Sequence, residues 1–156
     1  MFADVASSYE DILKSVFSAP IAAKAWLATF AAVLAVVQIV TAARIYGKLE
    51  GVLRLPAEVV STTHRWSGRL AVLFTLPVVF HCIFILGFQT GDTRVALHSA
   101  IGSFFYGAVA TKVFIVRNHA YPGWVLPVAG GTLFSMLAVL WVTSSLWYFT
   151  EVRFGL

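Results

Sequence analysis

Residues 77–102 read PVVFHCIFILGFQTGDTRVALHSAIG, and the fold is decided there. One apolar run ends before Gln89 and another begins after Arg94, with a handful of polar residues between. So short a connection between two helical runs makes them antiparallel neighbours. Each run carries a single histidine, His81 before the turn and His98 after it. At ~1.5 Å rise per residue, both imidazoles lie roughly 6–10 Å below one surface of the slab that the helices cross.

That slab is a lipid bilayer. Of 156 residues, 60% are hydrophobic and 12% charged, with a mean hydropathy of +0.86. A soluble domain is nearer ~45–50% apolar and ~25% charged. Four stretches are long enough to cross ~30 Å of hydrocarbon: 22–46, 64–88, 94–117 and 123–149. The second has no helix breaker back to Pro56, so an earlier start is open. The fold expected is an all-α, up-down-up-down four-helix membrane bundle in a single domain. Ahead of it, residues 7–18 pair Ser7 with Glu10 at capping-box spacing. Ile12, Leu13, Val16 and Phe17 follow at helical intervals, which suggests a short amphipathic helix lying on the membrane surface. The polar first twenty residues argue against a cleavable signal.

Basic residues set the expected orientation. Arg44, Lys48, Arg54, Arg65, Arg69, Lys112 and Arg117 flank the first and third loops, whereas Lys14, Lys24, Arg94 and Arg153 lie at the other side. The excess predicts cytoplasmic first and third loops, termini outside, and a cell-membrane location. Aromatics fit both interfaces, with Trp26, Trp147 and Tyr148 on one side and Tyr46, Trp66 and Trp124 on the other. A net charge of +4, scattered over helix ends, speaks for topology and against nucleic acid as a partner. The lone Cys82 excludes an internal disulfide and a paired-thiol redox motif.

Ionisable residues inside a membrane are functional by default. Two neutral imidazoles at one depth on facing helices are suited to the two axial positions of a haem iron. The absence of C-x-x-C-H makes any such haem a non-covalent haem b. Gly102, four residues after His98, shares its face and leaves room for a flat macrocycle. Pro77 should bend the helix one turn before His81. Thr143, Ser144 and Ser145 lie at a depth where they could orient an imidazole, and Arg94 or Lys24 could meet haem propionates. A second pair, His64 and His119, lies at the opposite end, and His64 is also followed at four residues by a glycine, Gly68. His64 and His81 are 17 residues apart, about 100° out of phase on a straight helix, and His119 sits where Pro122 is ending its helix. One haem is therefore expected on His81 and His98, with a second on His64 and His119 left open. Arg69 and Lys112 lie about a turn inside the membrane with no carboxylate in any span. Haem propionates, a quinone carbonyl, lipid phosphate or snorkelling all remain open for them. Gln38 is open between a structural role and quinone binding.

With those residues in view, HRWSGRLAVLFTLPVVFHC followed by HSAIG resembles the haem b membrane modules of the cytochrome b561 and ferric-reductase-like groups. It resembles still more a group of short, four-span bacterial membrane proteins of uncharacterised function. They share HRWSGR (64–69), HC (81–82), HS (98–99) and a PGW…P…GG element (122–131). The resemblance covers residues 64–119 or a little more. It implies haem-ligand roles for His81 and His98, and for His64 and His119. It also implies single-electron transfer between a quinol or protein donor and an acceptor. Four spans with no flavin or nicotinamide domain imply a redox partner, a larger respiratory complex or a homo-oligomer. The rival reading is a non-redox membrane subunit or small transporter whose histidines handle protons or assembly, although no Asp or Glu lies in the spans.

Overall fold

The computed structural model of the chain describes residues 7–9, 11, 15, 19–52, 54–118 and 120–153. Among them are four helices long and apolar enough to cross a membrane: Pro20–Ile45, Ala57–Leu86, Thr93–Arg117 and Val125–Val152. We label them α1 to α4. The all-α four-helix bundle is thus the observed fold, and α2 does start directly after Pro56. Of the surface helix expected over 7–18, residues 7–9, 11 and 15 are helical. Ile12, Leu13, Val16 and Phe17 lie outside the described residues.

Local chemistry sets the helix ends. Pro20 opens α1, where its missing N–H costs nothing. α1 closes at Gly47, whose φ of 76° only glycine adopts freely. The Gly47 and Lys48 amides donate to the Arg44 and Ala43 carbonyls, a Schellman closure. α3 is capped by Asp92, whose Oδ1 accepts from the Val95 amide at 2.9 Å. Pro77 lies inside α2 without ending it, and from His81 to Leu86 the helix widens into a π-helical turn. α4 does the same at Val142–Leu146 and again at Tyr148–Arg153. All three π-helical stretches therefore lie at the end of the bundle that carries the 87–92 connection. Such turns insert an extra residue per turn and occur often at functional sites.

Lipid-facing surfaces explain the composition. Phe104 is 72% exposed and Val33 57%, which suits hydrocarbon and not water. The interior is instead small. α1 buries Ala22, Ala23, Ala25, Ala28, Ala31 and Ala35, and small faces let membrane helices approach closely. α1 accordingly packs along both α2 and α4, and α3 packs along α4. α2 and α3 differ from the sequence expectation. They are joined by a short connection, yet among the described residues their backbones hardly approach one another. Tyr106 reaches across that seam to Thr75, while Phe105 is buried with Ala31, Ala35 and Leu137, and Phe74 packs against the same cluster. Tyr148, expected at the lipid interface, is buried against Ala22 and Ala25.

Candidate functional site

A membrane interior offers hydroxyl groups no water, so each must spend its proton on a protein acceptor. Here the acceptor is usually the helix's own backbone, four residues earlier. Thr29 donates to Ala25 O, Thr41 to Val37 O, Ser67 to Thr63 O and Thr143 to Val139 O, all at 2.6–2.7 Å. With its proton committed, each hydroxyl oxygen can only accept from a neighbouring helix. Trp141 Nε1 donates to Thr29 at 2.9 Å, and Gln38 Nε2 to Ser67 at 2.8 Å. The same logic assigns two imidazoles.

His98 Nδ1 lies 2.9 Å from Thr143 Oγ1. That hydroxyl donates to Val139, and the His98 ring also bonds the Leu140 backbone carbonyl, which can only accept, so Nδ1 is assigned as the protonated nitrogen with the Nε2 lone pair available. Metal-ligating histidines are held this way by a group beyond the ligand. His64 Nδ1 lies 2.8 Å from Thr41 Oγ1, whose proton goes to Val37, so His64 has the same tautomer. The device occurs once on α1–α2 and once on α3–α4, at opposite ends of the bundle.

His81 stands at the first residue of the π-helical turn of α2 and is buried, 6% exposed. Tyr9 lies against it with ring centroids 5.9 Å apart and donates its hydroxyl to Pro77 O at 2.7 Å. Burial raises the Tyr9 pKa above the usual phenol value, and the nearby Cys82 adds to the shift. The depths of His81 and His98 can be compared through a hydrogen bond between the Thr75 and Tyr106 hydroxyls, 2.8 Å apart. His81 is six residues beyond Thr75 and His98 eight beyond Tyr106 in the same direction. At ~1.5 Å per residue they stand roughly 9 and 12 Å above that shared level.

Two cations attend this end. Lys24 on α1 acts electrostatically on both Cys82 and His98. Arg94, the other candidate for meeting propionates, reaches α4. Its Nη1 donates to Thr143 O at 2.6 Å, and its guanidinium carbon lies 4.2 Å from the Trp147 ring centroid. Asp92 Oδ2 is 3.8 Å from its Nη2. Arg94 is therefore committed to α4. Ser144 back-bonds to Leu140 O at 2.6 Å. Ser145 is fully buried with no hydrogen-bond partner among the described residues.

The opposite end is tied by side-chain hydrogen bonds between α1 and α2. Gln38 donates to His64 O as well as to Ser67. Its amide fits beside Gly68, where an added Cβ would lie 3.1 Å from Gln38 Oε1. Gln38 thus ties α1 to α2. Lys112 on α3 acts electrostatically on His64. Arg69 is exposed, stacked over Trp66 at 5.1 Å, and no described contact joins it to His64. His119 lies outside the described residues. Gly102 faces α4, with Leu140 Cδ2 3.7 Å from where a Cβ would be. Among the described residues no three His, Cys, Asp or Glu side chains converge as a metal-binding group.

A family model matches residues 2–156. The chain belongs to DUF6529, a family of unknown function. No curated protein and no solved structure matches it. For a DUF6529 chain the site must therefore be read from its own side chains. The sequence pointed to Thr143, Gly68 and Lys112 but not to Thr41, and it marked Trp147 only as an interfacial aromatic. A Thr opposite a His on the neighbouring helix was the available signal for Thr41. Trp147 carries no such mark, because its value comes from the π-helical winding of α4.

Proposed function

We propose that this chain is a haem b membrane cytochrome, with His81 and His98 as the axial pair in the seam between α2 and α3. The observation that carries the reading is the His98–Thr143 hydrogen bond. It fixes Nδ1 as a donor and leaves Nε2 as an electron-pair donor. The seam supports it too: α2 and α3 do not pack closely, and α2 carries a buried histidine, His81, within about 3 Å of the same depth. Lys24 beside His98 supplies positive charge for the acidic side groups of a haem. When bound, the haem supplies one-electron chemistry; the protein supplies two imidazoles, low dielectric and orientation. The electron-transport role follows, carrying single electrons between a quinol or a protein donor and an acceptor in an oxidoreductase assembly. The orientation proposed has the termini outside the cell membrane and the 46–56 connection in the cytoplasm, by the basic residues flanking it.

An oxidised-minus-reduced visible spectrum of the purified protein, expressed with ample haem, tests this. Low-spin haem b bands are expected in the wild type and should be lost in His81→Ala and in His98→Ala. A colourless wild-type protein sinks the proposal.

A further inference from the structure

We infer that Thr143, clamped by Arg94, is a positioning residue that holds His98 in the Nδ1-protonated form and aims its Nε2 into the seam. The inference rests on the haem reading for its consequence, but the device itself is a matter of named contacts. Thr143 is held from two sides. Its hydroxyl donates to Val139 O at 2.7 Å and accepts from His98 at 2.9 Å. Its carbonyl accepts from Arg94 Nη1 at 2.6 Å. Arg94 is in turn fixed by the Trp147 ring beneath it, four residues after Thr143 on α4. The loop is closed: α3 reaches α4 once through Arg94 and once through His98, four residues apart, and both contacts end on one threonine.

The π-helical turn Val142–Leu146 makes this one threonine serve both. A π turn and an α turn differ in angular advance per residue, so they present different faces over the same five residues. Thr143 is 8% exposed and Ser145 is fully buried. A charge-assisted bond from a guanidinium is about twice as strong as a neutral one. Arg94 is therefore suited to hold the turn in this register, which explains why a cation near the membrane surface is directed at a backbone carbonyl.

The chemical consequence concerns the ligand. A hydrogen bond from Nδ1–H gives the imidazole more electron density at Nε2 and stops the ring from turning over. Losing it makes His98 a poorer ligand, especially to the oxidised iron, so the midpoint potential should rise. Loss of such a group typically weakens metal retention about 10- to 100-fold.

The test uses the full-length protein in detergent with Thr143→Val, Thr143→Ser and Arg94→Gln. Thr143→Val is expected to raise the midpoint potential and lower haem retention about 10-fold or more, and Thr143→Ser to restore both. Arg94→Gln should shift both in the direction of Thr143→Val. Wild-type potential and retention in Thr143→Val would overturn the inference, as would failure of Thr143→Ser to restore them. Imidazole 15N spectra of the haem-free protein read the tautomer directly. The Nδ1–H tautomer of His98 should dominate in the wild type and Thr143→Ser and be less populated in Thr143→Val, where the Leu140 carbonyl is the acceptor that remains. If the wild type takes up no haem, the haem reading fails while these spectra still decide the device. A wild-type His98 protonated at Nε2 overturns it.

Discussion

The Thr75 hydroxyl on α2 lies 2.8 Å from the Tyr106 hydroxyl on α3, joining in mid-span two helices whose backbones hardly meet. Thr75 Oγ1 also lies 2.7 Å from Val72 O, so the threonine's proton stays on its own helix and Tyr106 is the donor. A tyrosine is long enough to cross a seam that shorter side chains would leave open. The contact therefore ties α2 to α3 at mid-span, and His81 and His98 lie about two turns further along their helices.

Removing this tie should cost little stability but loosen the seam. Interhelical hydrogen bonds in membranes average ~0.6 kcal/mol, with a maximum of ~1.7. Tyr106→Phe and Thr75→Val should each destabilise by about that much, and the double variant by less than the sum, since one bond is lost in all three. Reversible unfolding in mixed detergent, analysed as a double-mutant cycle, measures it. Additive losses would show that the hydroxyls do not interact.

The four spans were legible in the sequence because a bilayer imposes length and composition on every crossing segment. Thr143 was legible as a candidate because its depth matched that of His98. The open seam was not. A short connection over 87–92 fixes which helices are consecutive, but packing is decided by the facing side chains. The alanines of α1 draw two partners in, whereas α2 and α3 meet through the longer Tyr106 side chain. The contacts of Arg94 were hidden for a related reason: its depth showed in the sequence, but its bond to the Thr143 carbonyl and its place over Trp147 depend on the π-helical winding of α4.

The two glycines at matching positions after His64 and His98 should respond differently. A Cβ at Gly68 would lie 3.1–3.3 Å from the Gln38 amide, which would have to leave Ser67 and His64. Gly68→Ala should destabilise the haem-free protein by about 1–3 kcal/mol. A Cβ at Gly102 would meet only Leu140 at 3.7 Å. There, alanine should stabilise the haem-free protein by about 0.5–1 kcal/mol through helix propensity. If Gly102 makes room for a macrocycle, the same variant lowers haem retention. Equal stability changes at the two positions would contradict these surroundings.

Orientation is testable at Gly51, which is exposed in the connection after α1 with nothing near its Cβ position. A cysteine there, in a Cys82→Ser background, should resist impermeant thiol reagents in intact cells and react after lysis. Rapid labelling in intact cells would invert the topology, and would bring the His81–His98 end to the cytoplasmic side.

Haem count turns on His64. It has the Nδ1–H tautomer of His98 and a cation, Lys112, within electrostatic reach, and stacked haems would carry electrons across the whole bilayer. Its surroundings argue the other way. The buried Thr41, Ser67 and the Gln38 amide occupy the α1–α2 contact around it, and α1 and α2 are closely packed along their length. His81, the proposed ligand on the same helix, is 17 residues away and out of phase. The His64–Thr41 pair then serves to tie two helices, as Gln38–Ser67 does beside it. One haem per chain is expected by the pyridine haemochrome assay against protein concentration. His64→Ala should keep that ratio near one while lowering stability by about 1–3 kcal/mol, because the Thr41 oxygen loses its buried donor. A ratio near two that falls to one in both His64→Ala and His119→Ala would refute the single-haem assignment and make the chain an electron path from face to face.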